Sequence, residues 1–257
     1  MDRRRCGKAA GRLFAKVRRA CLRWDLLPPG EPVAIGISGG PDSLALVAML
    51  ARRNRMLEVK SRLVGLHVAL RGDGEPWSLP EAIRDWCREQ GVEVETVVPR
   101  VDPGEAFPMT CFRCAGIRRR TLLEAADARG CSRLALGHHA DDVVETWLMS
   151  LFYTGTGDVL PPVRSYFGGV VTVVRPMYEA PAREIRRVAS LCGYPVDPVR
   201  CPVEGSARRN RVREVLAALG RDQRRVRRVL FRTIVRSYGA PADGVVESAP
   251  GGDGWRG

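Results

Sequence analysis

The chain has no apolar run long enough to cross a membrane or to form a signal peptide. Its N-terminal region is apolar in part, but residues 9–24 are interrupted by five basic side chains: Arg12, Lys16, Arg18, Arg19 and Arg23. We therefore expect a cytoplasmic protein that makes no membrane contact. Because thiols stay reduced in that compartment, we expect the eight cysteines to be ligands, catalytic groups or core residues rather than disulfides.

Lysine and acidic side chains are scarce relative to arginine. The 257 residues include 42 Lys and Arg against 29 Asp and Glu, a net charge of +13, and only three of the 42 are lysines. Arginine pairs with phosphate through a planar fork of donors. The charge therefore favours a polyanionic partner such as nucleic acid, although coding composition alone also enriches arginine.

Short apolar strands alternate with helical patterns through most of the chain, which predicts a parallel sheet covered by helices. Strands are expected at 33–37, 63–68, 92–98 and 133–136, and a hairpin is expected to end at Val174. Helices are expected at 43–54, 79–90, 115–129, 141–152 and 182–192. Basic amphipathic helices are expected at 1–24, 208–219 and 222–236, and the tail at 239–257 is expected to be disordered.

A glycine turn follows the first predicted strand. From Ser38 to Ser43 the sequence reads Ser-Gly-Gly-Pro-Asp-Ser. Glycines let the backbone approach an anion, and the first amides of the next helix lack intrahelical acceptors, so the turn favours phosphate. Asp42 would repel bare phosphate and is better suited to hold Mg²⁺ against it. The run has neither the Gly-Lys-Ser/Thr of the Walker loop nor the glycine spacing of dinucleotide-binding folds.

Two thiols three residues apart, Cys111 and Cys114, lie at the start of a predicted helix. They can share one metal ion or cluster, and a helix start favours the thiolate. A zinc half-site, a redox pair and chance are alternatives, but the chain has no second such pair to complete a four-cysteine zinc site. Cys201, in a loop with Pro and Gly, is the best candidate for a third ligand. Three others are expected to be core or surface thiols: Cys87, Cys131 and Cys192.

Two histidines and two aspartates follow the fourth predicted strand, where residues 137–142 read Gly-His-His-Ala-Asp-Asp. Open α/β sheets bind ligands at the carboxyl ends of their strands, so we expect this run at the ligand site. Either aspartate alone could be structural, because the helix dipole favours acidic side chains in the first turn after a helix cap. The combination of two histidines and two aspartates favours function.

Five motifs occur in one order between Val33 and Leu219. They are the Ser38–Ser43 turn, Cys111-Phe-Arg-Cys114, the 137–142 run, Leu151-Phe-Tyr-Thr-Gly155 and Arg175-Pro-Met177. The turn resembles the PP-loop signature of N-type ATP pyrophosphatases, which cleave ATP between its α and β phosphates to adenylate a substrate. Together the motifs resemble those of the tRNA 2-thiocytidine synthetase family.

The resemblance implies a HUP-type, Rossmann-like, doubly wound α/β fold at residues 31–200. A basic N-terminal helix and linker (1–30) would precede it, and a cysteine loop with basic helices (201–238) and the tail (239–257) would follow. The resemblance further implies tRNA as substrate, ATP, Mg²⁺ and a [4Fe-4S] cluster. It also implies a sulfur donor such as a cysteine desulfurase and, as in many members, a homodimer.

The resemblance assigns roles to individual residues. Catalytic roles fall to Asp42, which would hold Mg²⁺, to Asp141, and to three cysteines that would hold the cluster: Cys111, Cys114 and Cys201. The nucleotide site would comprise Ser38, Gly39, Gly40, Asp42, Ser43, His67, Gly137 and His138. RNA contacts are expected from Arg118 and Arg119 and, on the basic C-terminal helices, from Arg224, Arg225, Arg227 and Arg228.

The sequence departs from the family pattern at two positions. Pro41 stands where members usually carry lysine, and Cys201 is single where they often have two cysteines. The tRNA 2-thiouridine synthetases and the tRNA lysidine synthetases are therefore alternatives, the latter with no need for the cysteine pair. An inactive RNA-binding protein, and a redox or sulfur-carrier module that uses Cys111 and Cys114 alone, are alternatives of other classes.

Overall fold

The structure, a computed structural model, describes residues 2–197, 207–222 and 225–237. Its strands are β1 (Val33–Gly36), β2 (Leu63–Val68), β3 (Glu93–Val97), β4 (Arg133–Ala135), β5 (Val163–Tyr166) and β6 (Val171–Val174). Its α-helices are α1 (Arg3–Arg23), α2 (Pro41–Arg55), α3 (Glu81–Glu89), α4 (Cys111–Asp127), α5 (Ala140–Tyr153), α6 (Ala182–Leu191), α7 (Ala207–Asp222) and α8 (Val226–Ser237).

The strands form one six-stranded sheet in the order β3-β2-β1-β4-β6-β5. Five strands are parallel, and β5 pairs antiparallel with β6 as the predicted hairpin. From β1 the chain moves outward to β2 and β3, then returns to β4 on the other side of β1. This reversal confirms the predicted doubly wound fold and leaves a crevice between the carboxyl ends of β1 and β4.

The predicted N-terminal helix is α1, and its apolar stripe packs into the main core. Leu13, Val17 and Ala20 are fully buried in a cluster that includes residues of α2 and α6. Burial of each large apolar side chain contributes about 1.5–3 kcal/mol. The first thirty residues therefore share a core with the region predicted as the 31–200 domain.

The two predicted C-terminal helices, α7 and α8, pack against α5. Val212 of α7 and Ile234 of α8 are buried with Val144 and Leu148 of α5. The second helix was expected from Asp222 and begins at Val226. This packing brings basic helices next to the helix that carries the two aspartates.

The expectation of unpaired cysteines is wrong for two of the eight. Cys6 of α1 and Cys192, the C-cap residue of α6, form a disulfide with their Cα atoms 5.0 Å apart. The two helices pack side by side, which brings together cysteines separated by 186 positions. Cys192 is thus not the thiol that we predicted, whereas Cys87 and Cys131 are buried thiols as expected.

Within residues 2–197, 207–222 and 225–237, no helix is both long enough and apolar enough to cross a bilayer.

Candidate functional site

The loops that follow β1 and β4 meet at the crevice. A Cβ atom at Gly137 would lie 3.2 Å from the carbonyl carbon and oxygen of Asp42 and 3.3 Å from the amide nitrogen of Ser43. This spacing is tighter than an ordinary van der Waals contact, so glycine is needed for the close approach of the two loops. The structure thereby brings together the two motifs that the sequence placed about one hundred residues apart.

The Ser38–Ser43 turn is held by its own hydroxyl groups. Ser43 Oγ donates to the carbonyl oxygen of Gly40 at 2.9 Å and accepts from the amide of Ser38 at 3.2 Å. Ser38 Oγ lies 3.3 Å from Ser43 Oγ. Gly40 is the N-cap of α2 and has no side chain to bond the first amides of that helix. Those amides and the positive end of the helix dipole suit a phosphate group.

Gly39 adopts a left-handed backbone with φ of +73°. Its carbonyl oxygen accepts a hydrogen bond from the amide of Asp197 at 3.1 Å, and a Cβ atom there would lie 2.6 Å from the carbonyl oxygen of Asp197. Glycine is therefore required by both conformation and space. The chain segment after α6 passes directly against the phosphate turn.

One carboxylate oxygen of Asp42, in this turn, has no hydrogen-bond partner within the ranges that the structure describes. Its Oδ1 is buried and accepts no hydrogen bond, while His139 Nε2 lies 3.8 Å away. Burial raises the pKa of Asp42, the nearby His139 opposes this, and the Asp142 carboxylate adds to it. A carboxylate oxygen beside phosphate-binding amides, without a protein donor, fits a ligand of Mg²⁺.

His139 and Asp142 form the start of α5. The Asp142 carboxylate accepts from the amide of His139 at 2.9 Å, and the amide of Asp142 donates to His139 Nδ1 at 3.3 Å. This reciprocal capping box fixes the position of His139 beside Asp42. The helix-cap interpretation is thus correct for Asp142.

Asp141 bonds to residues of two other helices. Its Oδ2 accepts from the amide of Ala182, the first residue of α6, at 2.8 Å. Its Oδ1 lies 3.2 Å from Arg227 Nη1 of α8. Asp141 therefore links α5 to two other helices, and its predicted catalytic role stays a prediction.

His67 lies beneath the phosphate turn and is 1% exposed. Its ring nitrogens lie 2.9 Å from the carbonyl oxygens of Ile37 and Trp77. Burial lowers the pKa of His67. Among the described residues, His67 thus reaches the turn through Ile37, the residue before Ser38, and its predicted nucleotide contact is untested.

His138 is half-buried next to His139, and its Nδ1 is buried without a hydrogen-bond partner. Burial lowers the pKa of His138 to about 3, and the charge of Arg175 contributes. The imidazole is therefore neutral at pH 7. A neutral ring with an unpartnered nitrogen can donate or accept one hydrogen bond, according to its tautomer, from a ligand in the crevice.

The cysteine pair lies on the first turn of α4. Thr110 caps this helix by accepting from the amide of Arg113 at 3.2 Å, so α4 begins at Cys111 rather than at residue 115 as predicted. Cys111 is exposed, and Cys114 packs against a small core that contains Met109 and Ile117. Within the described ranges, no three His, Cys, Asp or Glu side chains lie close enough together to hold a metal ion, and Cys201 lies outside these ranges.

Comparison with known proteins identifies the family. Residues 16–219 match the family described as PP-loop domain. A protein named tRNA-cytidine(32) 2-sulfurtransferase from Geobacter metallireducens is 34% identical over 228 residues, which cover 85% of this chain and 86% of that protein. A protein of the same name from Citrifermentans bemidjiense is 31% identical over 233 residues, 87% of this chain and 89% of that protein. The chain belongs to the PP-loop tRNA-cytidine(32) 2-sulfurtransferase family.

This membership confirms the family that the motifs predict. Among solved structures, the U34-tRNA thiolase NcsA from Methanococcus maripaludis with its [4Fe-4S] cluster aligns with a TM-score of 0.70. The alignment covers 89% of this chain and 78% of that chain at 22% sequence identity, so it shows a shared fold.

The predicted RNA contacts of this PP-loop family member have different surroundings. Arg118 is partly buried and donates to the carbonyl oxygen of Leu70 at 2.5 Å, whereas Arg119 is exposed on α4. Arg225 and Arg228 are exposed. Arg227 is paired with Asp141, and Arg224 lies outside the described residues.

Sequence reasoning missed a buried carboxylate on the same helix face as Asp141. Glu145 is 4% exposed and accepts from Arg213 Nε at 3.0 and 3.1 Å, and Arg227 Nη1 lies 3.5 Å away. The signal was the spacing of four residues between Asp141 and Glu145, which places both on one side of α5. This network attaches α7 and α8 to the helix that begins at the PP-loop crevice.

Proposed function

We propose that this protein activates a cytidine of tRNA with ATP and exchanges the C2 oxygen of the base for sulfur. The observation that carries the proposal is the buried, unpartnered Oδ1 of Asp42 beside the phosphate-binding amides of α2. Family membership supports tRNA cytidine as the substrate. The strong positive charge of the chain supports a nucleic-acid partner.

The phosphate turn binds the pyrophosphate that departs from ATP. The backbone of Gly39 and Gly40 and the hydroxyls of Ser38 and Ser43 surround it, and His67 supports the turn from below through Ile37. Mg²⁺, when held by Asp42, supplies positive charge that offsets the charge on pyrophosphate.

The residues after β4 position the base and the α-phosphate. Gly137 permits the close approach of the loop, and the neutral His138 offers one hydrogen bond in the crevice. Asp141 acts on this region through its bonds to Ala182 and Arg227, which hold α5 in place. We assign it a positioning role within the proposed reaction.

The reaction balances as two displacements. The C2 oxygen of cytidine attacks the α-phosphorus of ATP, and pyrophosphate leaves. Sulfide, which already has the oxidation level of the thiocarbonyl sulfur, then adds at C2, and AMP leaves with the original oxygen. If the donor is a cysteine desulfurase, two electrons from a thiol reductant first release its persulfide sulfur as sulfide. Adenylation is needed because a carbonyl oxygen is a poor leaving group. The free amides at the start of α2 stabilise the charge that develops on phosphate.

The cysteines bind the group that presents sulfur. A [4Fe-4S] cluster, when bound, supplies an iron site that can carry sulfide. Cys111 and Cys114 share the first turn of α4, where the helix start favours thiolates. Cys201 is the proposed third ligand and follows four positions after Asp197, the residue bonded to the phosphate turn. Among the arginines assigned to RNA, the exposed Arg119, Arg225 and Arg228 bind its backbone. Arg118 and Arg227 are held by contacts within the protein and support that surface.

Asp42→Asn tests the adenylation step. We expect tRNA-dependent AMP release to fall by roughly 100-fold or more, because the carboxylate that holds Mg²⁺ is lost. The affinity for tRNA should be unchanged, since the substitution removes no RNA contact. Asp85→Asn on the exposed face of α3 is the matched control and should retain full AMP release. AMP release by Asp42→Asn at the rate of the parent would exclude the proposed role.

Asp42→Asn should lower activity but raise the stability of the metal-free protein. Because burial raises the folded-state pKa of Asp42 above 3.8, the protonated form is favoured in the fold, and its stabilising contribution is lost as pH rises through the folded pKa. At a pH above that folded pKa, the charge on this partly buried carboxylate is therefore destabilising without metal. We expect Asp42→Asn to raise the melting temperature in EDTA, a gain that Mg²⁺ and ATP should cancel by stabilising only the parent.

A further inference from the structure

A second feature of the crevice suits an anion. Arg175 follows β6 directly and is 4% exposed. Its Nη1 donates to the carbonyl oxygen of Pro161 at 2.6 Å, while its Nε is buried without a partner. No carboxylate in the described part of the chain forms an ion pair with it. The edge of the guanidinium formed by Nε and Nη2, which can bind phosphate with two parallel hydrogen bonds, is therefore available.

The groups around Arg175 are cationic or neutral. The amide of Leu136 donates to the carbonyl oxygen of Val174 at 3.0 Å, which places the end of β4, and His138 after it, beside Arg175. The Arg119 guanidinium lies close enough to lower the pKa of both His138 and Arg175, and Arg164 on the neighbouring strand also lowers that of Arg175. Burial lowers the pKa of Arg175 to about 10, so it stays charged at pH 7.

A buried cation without a counter-charge is costly, and a bound anion offsets that cost. The position of Arg175 indicates which anion is suitable. The phosphate turn follows β1, His138 follows β4, and Arg175 follows β6, three neighbouring strands of the sheet. With strands about 4.8 Å apart, the end of β6 lies roughly 10 Å from the end of β1, where the phosphate turn begins. This separation favours an anion from a second molecule over the pyrophosphate held at the turn, and the titration of an ATP analogue below tests the α-phosphate as the alternative.

We propose that Arg175, together with His138, Arg119 and Arg164, forms a subsite for a backbone phosphate of the RNA, adjacent to the nucleotide that is modified. The inference rests on the proposed function and deepens it. The subsite binds a phosphodiester on one side of the crevice while the phosphate turn binds ATP on the other. The target base is thereby held between the two.

The test measures binding rather than turnover, so that it needs neither the cluster nor a sulfur donor. Arg175→Gln is compared with Arg55→Gln, which removes an equal charge at the far end of α2. An unmodified tRNA transcript is titrated by filter binding at several salt concentrations, and a non-hydrolysable ATP analogue is titrated by calorimetry. We expect Arg175→Gln to weaken RNA binding about 10-fold and to reduce the salt slope by about one. Binding of the ATP analogue should be unchanged in both variants.

Inorganic phosphate is a second probe of the same site. We expect it to raise the melting temperature of Arg175→Gln less than that of the parent and of Arg55→Gln, because the variant keeps the phosphate turn and loses only the Arg175 subsite. An equal rise in all three proteins would contradict the subsite. Arg164 is exposed on an edge strand, so Arg164→Gln is a second variant that does not disturb the core. It should weaken RNA binding in the same direction. Equal RNA affinity of Arg164→Gln and the parent would overturn the subsite even if Arg175→Gln failed to fold.

The outcomes separate the inference from the function on which it rests. If the parent binds RNA and Arg175→Gln binds it with the same affinity, the subsite is overturned and the proposed function is not. If Arg175→Gln binds the ATP analogue more weakly but RNA with unchanged affinity, Arg175 belongs to the nucleotide site. That result also overturns the subsite. If the parent binds no tRNA, the proposed function itself fails.

Discussion

Gly137 is the residue at which the two loops of the site touch. Its backbone is not left-handed, so alanine is tolerated by conformation and excluded by space alone. We expect Gly137→Ala to push Asp42 and Ser43 away from the β4 loop and to lower tRNA-dependent AMP release at least about 10-fold. The stability cost should be about 1–3 kcal/mol, as for other overpacked sites, measured by urea denaturation.

Gly11→Ala is the matched control for that substitution. Gly11 lies inside α1, and a Cβ atom there meets nothing within 4 Å. Alanine should leave AMP release unchanged and should stabilise the helix by about 0.5–1 kcal/mol. Equal AMP release by Gly137→Ala and the parent would show that the contact between the loops does not determine the reaction.

At the scale of single residues, the sequence predicts those functional groups whose role depends on residues adjacent in the chain. The phosphate turn and the 137–142 run were found because their residues are adjacent and their context is a strand followed by a helix. The unpartnered oxygen of Asp42 and the buried Arg175 were not found, because partner and burial are decided by distant segments. Likewise, nothing local indicates that Asp141 pairs with Arg227 from the other end of the chain.

At the scale of helices and strands, periodicity located every described strand and α-helix with small differences at the ends. The start of α4 was placed four residues late because Thr110 was not recognised as its cap. That difference matters, since it puts Cys111 and Cys114 inside the first turn. What periodicity could not predict is which helices pack together, and the disulfide between α1 and α6 depends on that packing.

The disulfide between α1 and α6 should contribute to the stability of the fold. A cross-link that closes a long loop restricts the unfolded chain, and such links typically contribute about 2–4 kcal/mol. We expect Cys6→Ser to lower the free energy of unfolding by that amount without reductant. In dithiothreitol the parent and the variant should coincide, which serves as the control. Equal stability without reductant, or peptide mapping that finds Cys6 and Cys192 unlinked, would contradict the pairing.

At the scale of the whole molecule, the order of the strands explains why distant motifs form one site. The chain reverses direction between β1 and β4, and the loops after these strands therefore face each other across one crevice. The alternation of strands and helices predicted a parallel sheet covered by helices, and the family resemblance implied its doubly wound order. The positive charge lies on the surface of several elements, since α4 and the C-terminal helices carry exposed arginines.

The central claim is that this crevice adenylates a tRNA cytidine so that sulfur can replace its C2 oxygen. The most direct measurement is mass spectrometry of nucleosides from a tRNA transcript incubated anaerobically with the reconstituted protein, ATP, Mg²⁺ and sulfide. We expect the parent to form 2-thiocytidine and AMP in equal amounts, and Asp42→Asn and Cys111→Ala to form no 2-thiocytidine. AMP release by the parent without a thiolated nucleoside, or thiolation by Cys111→Ala, would contradict the account.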